Sequence, residues 1–309
     1  MNLSIVSTLY KSAEYIEEFH RRSSLVAHQI AGYDYEIIFV NDGSPDNSLD
    51  IAISLSEVDE HVIVVDLSRN FGHHKAMMTG LAHAQGEYVF LIDSDLEEEP
   101  EWLLRFVEQI EKEKCDVVFG VQKQRRGGVI ERWSGEWFYR LFNLFTGMEM
   151  PKNTVTARLM CCRYVEALLL YEERELFIDG LWYLTGFNQR PQLVNKLSSS
   201  NTSYTFRRKM SLAFNAITSF SNVPLIGIFY IGIAITLLAM VYTFYVVISS
   251  LFFLNALSGW TSLIASIWFL SGVIISFIGI IGIYLSKVFM ETKHRPFTII
   301  KQIYEKNNH

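Results

Sequence analysis

The sequence of 309 residues has a long segment without charge and few cysteines. From Met210 to Ser286 it contains no Asp, Glu, Lys, Arg or His. A soluble domain does not need so long a segment without charge, so we expect this part to lie in a membrane. The three cysteines, Cys115, Cys161 and Cys162, lack metal-type spacing. Their odd number fits reduced thiols in a cytosolic domain better than a disulfide framework.

The sequence also lacks an excess of positive charge and a secretory leader. The formal net charge is −6, which argues against nucleic acid as the main partner. The N-terminal segment reaches three glutamates by Glu18 and has no basic start followed by an apolar core. We therefore expect no signal peptide and no export of the N-terminal domain.

Short apolar segments alternate with segments of helical periodicity in residues 1–121, which we expect to form the core of the first domain. The predicted strands are Leu3–Leu9, Tyr35–Val40, His61–Leu67, Tyr88–Ile92 and Asp116–Val121. The predicted helices are Ala13–Ile30, Asn47–Glu57, His74–Ala84 and Glu101–Glu113. This alternation indicates an α/β fold with a mostly parallel sheet covered on both faces. In such sheets, ligands bind beyond the carboxyl ends of the strands.

The segment 122–209 is rich in arginine and aromatic residues and poor in clear strands. We interpret it as the acceptor-binding part of the catalytic domain. The next segment, 210–222, is predicted to be an interfacial helix that lies along the membrane surface.

Two long apolar segments, 223–254 and 262–286, are predicted to be transmembrane helices, since each exceeds the roughly 20 residues that cross a bilayer. Basic residues flank the pair on its outer sides, while the turn Asn255–Thr261 carries no charge. The positive-inside rule therefore places both termini in the cytoplasm. Residues 287–309 are predicted to form a cytoplasmic tail.

Acidic residues follow two of the predicted strands. Asp42, after the second strand, either accepts hydrogen bonds from a nucleoside or belongs to a turn and helix cap. Asp93 and Asp95 follow the fourth strand, and two carboxylates this close repel each other unless a cation lies between them. Oxygen ligands suit Mg²⁺ or Mn²⁺, and Glu97 adds a further carboxylate. We expect the neighbouring Glu98 in the first turn of the next helix.

These motifs, in this order, resemble glycosyltransferase family 2, and within it the polyprenyl-phosphate branch. That branch includes dolichyl-phosphate mannose synthases and bactoprenol glucosyltransferases. Asn41–Ser44 matches the family's Asp-Asp-Gly-Ser element, and Arg69–Gly72 matches its Arg-Asn-Phe-Gly loop. Asp93–Glu97 resembles its Asp-Ala-Asp-Leu-Gln metal motif. Phe138–Leu141 and Arg158–Met160 are similar to its acceptor region.

The resemblance implies a GT-A type, Rossmann-like nucleotide-sugar domain followed by a two-helix transmembrane hairpin. It implies metal-dependent, inverting transfer of a hexosyl group from UDP-glucose or another UDP-hexose to polyprenyl (undecaprenyl) phosphate. The reaction would take place at the cytoplasmic face of the bacterial inner membrane, in a multi-pass protein, and would supply lipid-linked sugar for cell-envelope glycans. Whether the chain forms a homo-oligomer is left open.

The resemblance and the chemistry of the residues together suggest roles for individual residues. The donor-binding residues would be Thr8, Tyr10, Asp42, Arg69 and Asp93. The ligands of Mg²⁺ or Mn²⁺ would be Asp93, Asp95 and Glu97. The arginines that clamp the acceptor phosphate would be Arg132, Arg158 and Arg207. The catalytic residues would be Asp95, Arg158 and Asp179.

One departure from the family concerns the base. The family's Gly-Asp-Phe-Arg-Leu is Val155–Leu159 here, so Thr156 stands where relatives have Asp. An attacking sugar hydroxyl needs a base, whereas a phosphate monoester, with a second pKa of about 6, arrives ionised. We therefore expect that the presence of Thr156 in place of Asp lowers the transfer rate only a little. Asp179 is the other candidate for a base or a sugar ligand, or else a surface or capping residue.

Two alternatives stay open from the sequence. A catalytically inactive membrane scaffold that binds nucleotide-sugar is favoured by Thr156 and opposed by the acidic pair Asp93 and Asp95. A processive polysaccharide synthase would carry a Gln-x-x-Arg-Trp motif, but Val129 stands at the Gln position ahead of Arg132 and Trp133.

Overall fold

A computed structural model describes residues 2–122, 153–173, 178–196, 223–253 and 259–306. The described residues fall into two compact units. Those up to residue 196, together with those from Arg295 onwards, form the first unit, and residues 223–294 belong to the second.

The first unit contains an eight-stranded sheet and six helices among its described residues. The strands are β1 (Leu3–Leu9), β2 (Tyr35–Asn41), β3 (Val62–Leu67), β4 (Tyr88–Leu91), β5 (Val117–Gln122), β6 (Thr154–Cys161), β7 (Gln189–Val194) and β8 (Ile300–Tyr304). The helices are α1 (Ile16–Ala31), α2 (Ser48–Val58), α3 (His73–His83), α4 (Trp102–Glu113), α5 (Cys162–Leu169) and α6 (Ile178–Leu184). The predicted α/β fold is confirmed, with five strands and four helices close to their predicted bounds.

The order of strands across the sheet is β7-β5-β6-β4-β1-β2-β3-β8. Strands β4, β1, β2 and β3 run parallel, so their carboxyl ends meet at one edge. Strand β6 lies antiparallel between β4 and β5, with Leu91 opposite Arg158. Because β6 runs the other way, its beginning lies where β4 ends. This register brings Thr156 beside the residues that follow β4.

The centre of the sheet is apolar on both faces, as expected for parallel strands covered by helices. Every residue of β1 is buried. Helix α1 turns a stripe that includes Ile16, Phe19, Val26 and Ala27 toward the sheet, at the spacing of a helix that covers one face. The Phe19 ring meets the edge of Phe39 on β2, with centroids 5.9 Å apart. This packing holds the carboxyl ends of the strands in fixed positions.

Strands β6 and β7 lie in the segment 122–209, which we predicted to be poor in clear strands, so that prediction was wrong. The β6 segment contains Thr154, Thr156 and Arg158, which interrupt a purely apolar pattern. Arg158 is nevertheless buried, with 2% of its surface exposed. A buried arginine therefore hid the strand from an analysis based on hydrophobicity.

Strand β8 is also absent from the sequence prediction, which assigned residues 287–309 to a cytoplasmic tail. It pairs antiparallel with β3, with Val64 opposite Tyr304. The backbone N–H of Ser68 also donates to the Ile299 carbonyl, at 2.9 Å. Part of the predicted tail is thus an edge strand of the sheet that carries the site.

The second unit contains two long helices, α7 (Val223–Phe253) and α8 (Trp260–Thr292). Within the part of the chain that the structure describes, one segment, Leu270–Thr292, is long and apolar enough to cross a membrane, with a mean hydropathy of 2.2. The segment Val223–Ala239 is a shorter apolar helix. The predicted pair of spans stays a prediction, and the predicted interfacial helix 210–222 lies outside the described residues.

Candidate active site

Asp42 joins the end of β2 to the loop that precedes α3. Its side chain is buried, and its Oδ1 accepts a hydrogen bond from the Phe71 N–H at 2.7 Å. Its Oδ2 accepts a second from the Gly72 N–H at 3.1 Å. Burial raises the pKa of Asp42, and these two hydrogen bonds act in the opposite direction. The carboxylate therefore fixes the position of the Arg69–Gly72 loop.

Gly43 allows the two loops to approach each other closely. Its φ of 59° lies in the left-handed region, and a Cβ there would come within 2.5 Å of the Asn70 nitrogen. In the facing loop, the Arg69 guanidinium lies 4.1 Å from the centroid of the Phe71 ring. Any side chain at Gly43 would push this loop away from the end of the sheet.

Asp46 holds the loops after β1 and β2 together. Its Oδ1 accepts hydrogen bonds from the hydroxyls of Ser44 and Ser48, each at 2.5 Å, and its Oδ2 accepts one from the Ala13 N–H. Burial alone would raise the pKa of Asp46, but these hydrogen bonds lower it to about 2. The network fixes the loop that carries the predicted donor-binding residue Tyr10, whose side chain is half exposed.

Asp93 lies at the centre of a chain of polar contacts from β1 to β6. The Thr8 Oγ1 lies 3.0 Å from the His73 Nδ1, and the His73 Nε2 lies 3.3 Å from the Asp93 Oδ1. On the other side, the Thr156 hydroxyl donates to the Asp93 Oδ2 at 2.9 Å. Burial opposes the charge of Asp93, but the partners His73 and Thr156 outweigh it and lower the pKa. No role was predicted for His73.

Asp95 follows directly and has fewer compensating partners. Its Oδ1 accepts the backbone N–H of Glu97 at 3.0 Å. Burial raises the pKa of Asp95, and the nearby charge of Asp93 adds to this effect. Between the two, the Ser94 hydroxyl donates to the Thr8 carbonyl at 2.9 Å, which fixes the motif against β1. Two neighbouring carboxylates, one with a raised pKa, suit a divalent cation.

Glu97 is engaged in an ion pair. Its Oε2 lies 3.2 Å from the Lys196 Nζ. Among the residues that the structure describes, no three His, Cys, Asp or Glu side chains are arranged around one point that could hold a metal ion. Of the three predicted metal ligands, Glu97 is therefore directed to a lysine, and the metal site stays a prediction.

Glu98 lies inside the protein, and its predicted place in the first turn of the next helix was wrong. Helix α4 begins only at Trp102, and the connecting loop turns Glu98 inward. Its two oxygens accept the backbone N–H groups of Thr156 and Ala157, at 3.1 and 2.8 Å. Burial raises the pKa of Glu98 to about 8. These backbone donors, which come from the unpredicted strand β6, explain the inward position.

Arg158 is a buried residue behind the site. Its guanidinium stacks on the Trp182 ring, and its Nε donates to the Thr156 carbonyl at 3.3 Å. Burial lowers the pKa of Arg158 to about 10. These contacts fix the positions of Trp182 and Thr156. The other two predicted phosphate-binding arginines, Arg132 and Arg207, lie outside the described residues.

A polar cavity of about 470 Å³ lies next to the Asp93 motif. Its lining includes His73, Glu98, Thr156, Asp179 and Lys196. The fold thus brings the predicted residue Asp179, from α6, to the same cavity wall as the β4 and β6 residues. Lys196 was not predicted, and no local signal in the sequence after β7 would have identified it.

Comparisons with known proteins identify the family. Residues 4–169 match Glycosyl transferase family 2. A glycosyltransferase of Mycobacterium tuberculosis is 51% identical over 98% of this chain and 89% of its own length. A prophage bactoprenol glucosyl transferase homolog of Escherichia coli is 32% identical over 98% of this chain and 99% of its own. The chain therefore belongs to glycosyltransferase family 2. It is a glycosyltransferase with a GT-A-like mixed sheet.

Among solved structures, similarity extends to a glucosyl-3-phosphoglycerate synthase from Mycobacterium tuberculosis, in complex with Mn²⁺, uridine diphosphate and glucosyl-3-phosphoglycerate. The sequence identity is 20%, the TM-score is 0.46, and the match covers 70% of this chain and 77% of that one.

Proposed function

We propose that this glycosyltransferase transfers a hexosyl group from a UDP-hexose to polyprenyl phosphate, with inversion at the anomeric carbon. UDP-glucose is the first candidate donor, and undecaprenyl phosphate is the first candidate acceptor. Bactoprenol glucosyl transferases from Shigella phages, 32–33% identical to almost the whole chain, support both choices. The product would be a lipid-linked sugar for modification of cell-envelope glycans.

The contact that carries this proposal is the hydrogen bond from Thr156 to Asp93. The Thr156 hydroxyl donates its hydrogen to the Asp93 carboxylate, and a neutral hydroxyl is too weak a base to take a proton from an attacking sugar hydroxyl. A phosphate monoester needs no such base, since it is largely dianionic at neutral pH. The site then has to supply only positioning and charge stabilisation. A phosphate acceptor fits this arrangement better than a hydroxyl acceptor.

We propose that Asp93 and Asp95 hold Mg²⁺ or Mn²⁺. Such an ion, when bound, would stabilise the negative charge of the leaving diphosphate. The raised pKa of Asp95 supports this assignment, because an uncompensated carboxylate gains most from a cation. His73 would keep Asp93 oriented through its 3.3 Å contact.

The donor nucleotide would lie against the ends of β1 and β2. Thr8, Tyr10, Asp42 and Arg69 are the proposed contacts there. Asp42 would act mainly by holding the Arg69 loop in place, because both of its oxygens already accept backbone hydrogen bonds. Tyr10 is 49% exposed and would be free to cover a base.

The acceptor phosphate would enter the polar cavity from the side of Asp179. Asp179 would orient the sugar or the acceptor. Arg132 and Arg207 are proposed ligands of the acceptor phosphate. Arg158 is only 2% exposed, so we propose that its charge acts from behind the cavity wall.

The pairing of β8 with β3 supports a cytoplasmic hairpin anchor. Helix α8 contains the candidate span Leu270–Thr292, and β8 follows it in the chain. A single crossing would place β8 and β3 on opposite sides of the membrane, yet these strands are hydrogen-bonded. We therefore propose an even number of crossings, with α7 as the second span. The basic residues Lys287, Lys293 and Arg295 favour the cytoplasm for the catalytic side.

A donor screen with the purified full-length protein tests the proposed function. The protein would be incubated in detergent with Mn²⁺, a polyprenyl phosphate and, in turn, UDP-glucose, UDP-GlcNAc and UDP-galactose. Mass spectrometry of the lipid should show one added hexose. The matched control is the polyprenol of the same chain length, which lacks the phosphate. Equal transfer to the polyprenol would overturn the phosphate acceptor.

The same screen decides between the alternatives. A processive synthase would give products with several sugars. An inactive scaffold would bind the nucleotide-sugar without forming any glycosylated lipid.

A further inference from the structure

Lys196 carries a positive charge into the most acidic part of the site. It follows β7 and lines the polar cavity, with 22% of its side chain exposed. Its Nζ lies 3.2 Å from Glu97 and 3.5 Å from Glu98. Against the effect of burial, the charges of Asp93 and Asp95 also raise the pKa of this lysine. Without this cation, the acidic residues would repel any phosphate group that approached the cavity.

The two glutamates beside this lysine are held in different ways. Glu98 is fixed, because each of its oxygens also accepts a backbone N–H from β6. The backbone N–H of Glu97 is bonded to the Asp95 Oδ1, which fixes the start of its side chain beside the proposed metal pair. The carboxylate of Glu97 is directed to Lys196. Glu97 therefore links the position of the lysine to the position of Asp95.

We propose that Lys196 binds a phosphate group of a substrate, and that Glu97 positions Lys196 rather than coordinating the metal ion. An ammonium group has three N–H donors, and the two contacts to Glu97 and Glu98 leave capacity for a third partner. The phosphate belongs either to the donor diphosphate or to the acceptor. The inference deepens the proposed function and rests on it.

Binding measurements on the full-length protein in detergent test this assignment without turnover. The probes are Mn²⁺ alone, UDP in the presence of Mn²⁺, and a short water-soluble polyprenyl phosphate, each measured by calorimetry. The variants are Lys196→Met, Lys196→Arg, Glu97→Gln and the double variant Glu97→Gln/Lys196→Met. Lys112→Met, on the exposed side of α4, is the matched control. Thermal unfolding of each variant checks that it is folded.

We expect Lys196→Met to weaken the binding of UDP or of the polyprenyl phosphate by about tenfold or more, as for the loss of a hydrogen bond to a charged group. Glu97→Gln should lower the affinity for the same probe by a smaller factor. The double variant should bind that probe with the same affinity as Lys196→Met. Lys196→Arg should retain most of the affinity. Mn²⁺ affinity should be unchanged or higher in Glu97→Gln and Lys196→Met.

The pattern of results identifies the source of the phosphate. A loss confined to UDP assigns Lys196 to the donor diphosphate, and a loss confined to the polyprenyl phosphate assigns it to the acceptor. Normal binding of both probes by a folded Lys196→Met, or a tenfold loss of Mn²⁺ affinity in Glu97→Gln, would overturn the proposal. Because these probes need no transfer, failure of the donor screen would count against the proposed function alone.

Discussion

The side of the site proposed to bind the donor and the side proposed to bind the acceptor, called the donor side and the acceptor side below, are built in different ways. On the donor side, short loops after parallel strands are held by hydrogen bonds to carboxylates, such as those of the buried Asp42 and the half-buried Asp46. On the acceptor side, the strands β6 and β7 and helix α6 contribute side chains from distant segments. The ion pair of Glu97 with Lys196 holds part of that side together. The donor side is therefore held mainly by hydrogen bonds to the backbone, and the acceptor side mainly by interactions between charged side chains.

This difference indicates how each side should respond to substitution. Loss of a donor-side carboxylate removes the acceptor for several backbone N–H groups at once. Loss of an acceptor-side residue changes a local charge, which neighbouring groups can partly compensate. We therefore expect the largest effects where the proposed metal and the donor loops meet, and progressively smaller ones away from it.

The largest effect is expected at the proposed metal pair. Asp95→Ala should lower the transfer rate by about 10³-fold or more, equivalent to about 4 kcal/mol of barrier, because the ion would lose one of two protein carboxylates. Asp93→Ala should be nearly as severe. The measurement is the transfer rate during titration with Mn²⁺. Full activity of Asp95→Ala in the presence of a chelator would contradict the metal assignment.

Asp42→Ala should raise the KM for the donor by about 10- to 100-fold. The change leaves the part-buried N–H groups of Phe71 and Gly72 without these acceptors, at a cost of about 1 kcal/mol for each. Steady-state kinetics with varied UDP-sugar would show this effect. Asp50→Ala, an exposed change in α2, is the control. A donor KM that is equal in the two variants would refute the supporting role of Asp42.

Asp179→Asn should lower the rate by less than the roughly 10²–10⁴-fold that removal of a general base costs, while Arg158→Ala should lower it more. With a phosphate nucleophile, the rate of the parent enzyme should rise as pH passes about 6, where the acceptor becomes dianionic, and level off above it. The transfer rates of the parent enzyme and of both variants would be measured across pH, at saturating donor and varied lipid concentration. A loss of several thousand-fold for Asp179→Asn, beside a near-normal Arg158→Ala, would make Asp179 the base.

A smaller effect is expected from the hydroxyl of Thr156. Thr156→Val keeps the shape but removes the hydrogen bond to Asp93, and we expect about a fivefold to tenfold lower rate. Thr156→Ser keeps the hydroxyl and should stay close to the parent enzyme. Comparison of kcat for the two variants is the measurement. Equal activity of the Val and Ser variants would show that this hydrogen bond does not orient Asp93.

The smallest effect is expected at β8. Lys301 lies 3.4 Å from Asp66, which accepts a hydrogen bond from the Asn41 side chain beside the donor loop. Lys301 is mostly exposed, and exposed ion pairs contribute about 0–1 kcal/mol. Lys301→Met should therefore change the donor KM by at most about threefold. Lys306→Met, in the same C-terminal segment, should leave the donor KM unchanged. A larger change of the donor KM in Lys306→Met than in Lys301→Met would show that the ion pair of Lys301 with Asp66 does not support the donor loop.

The sequence contained enough information to place the residues of the proposed donor side next to one another. Strands and helices alternate in the first 121 residues, and the polar residues Asp42, Asp93 and Asp95 follow strands directly. Because parallel strands end at one edge, these side chains had to lie near each other. The charge-free segment likewise indicated a membrane from composition alone.

Only the tertiary structure placed the acceptor side. The antiparallel register of β6 against β4 brings Thr156 to Asp93, and the same strand supplies the N–H groups that draw Glu98 inward. The return of the chain to β3 and the arrival of Lys196 beside Glu97 likewise depend on contacts between remote segments. Local patterns in a sequence report periodicity and burial. The pairing of strands far apart in the chain is set by the packing of the whole domain, so no local pattern records it.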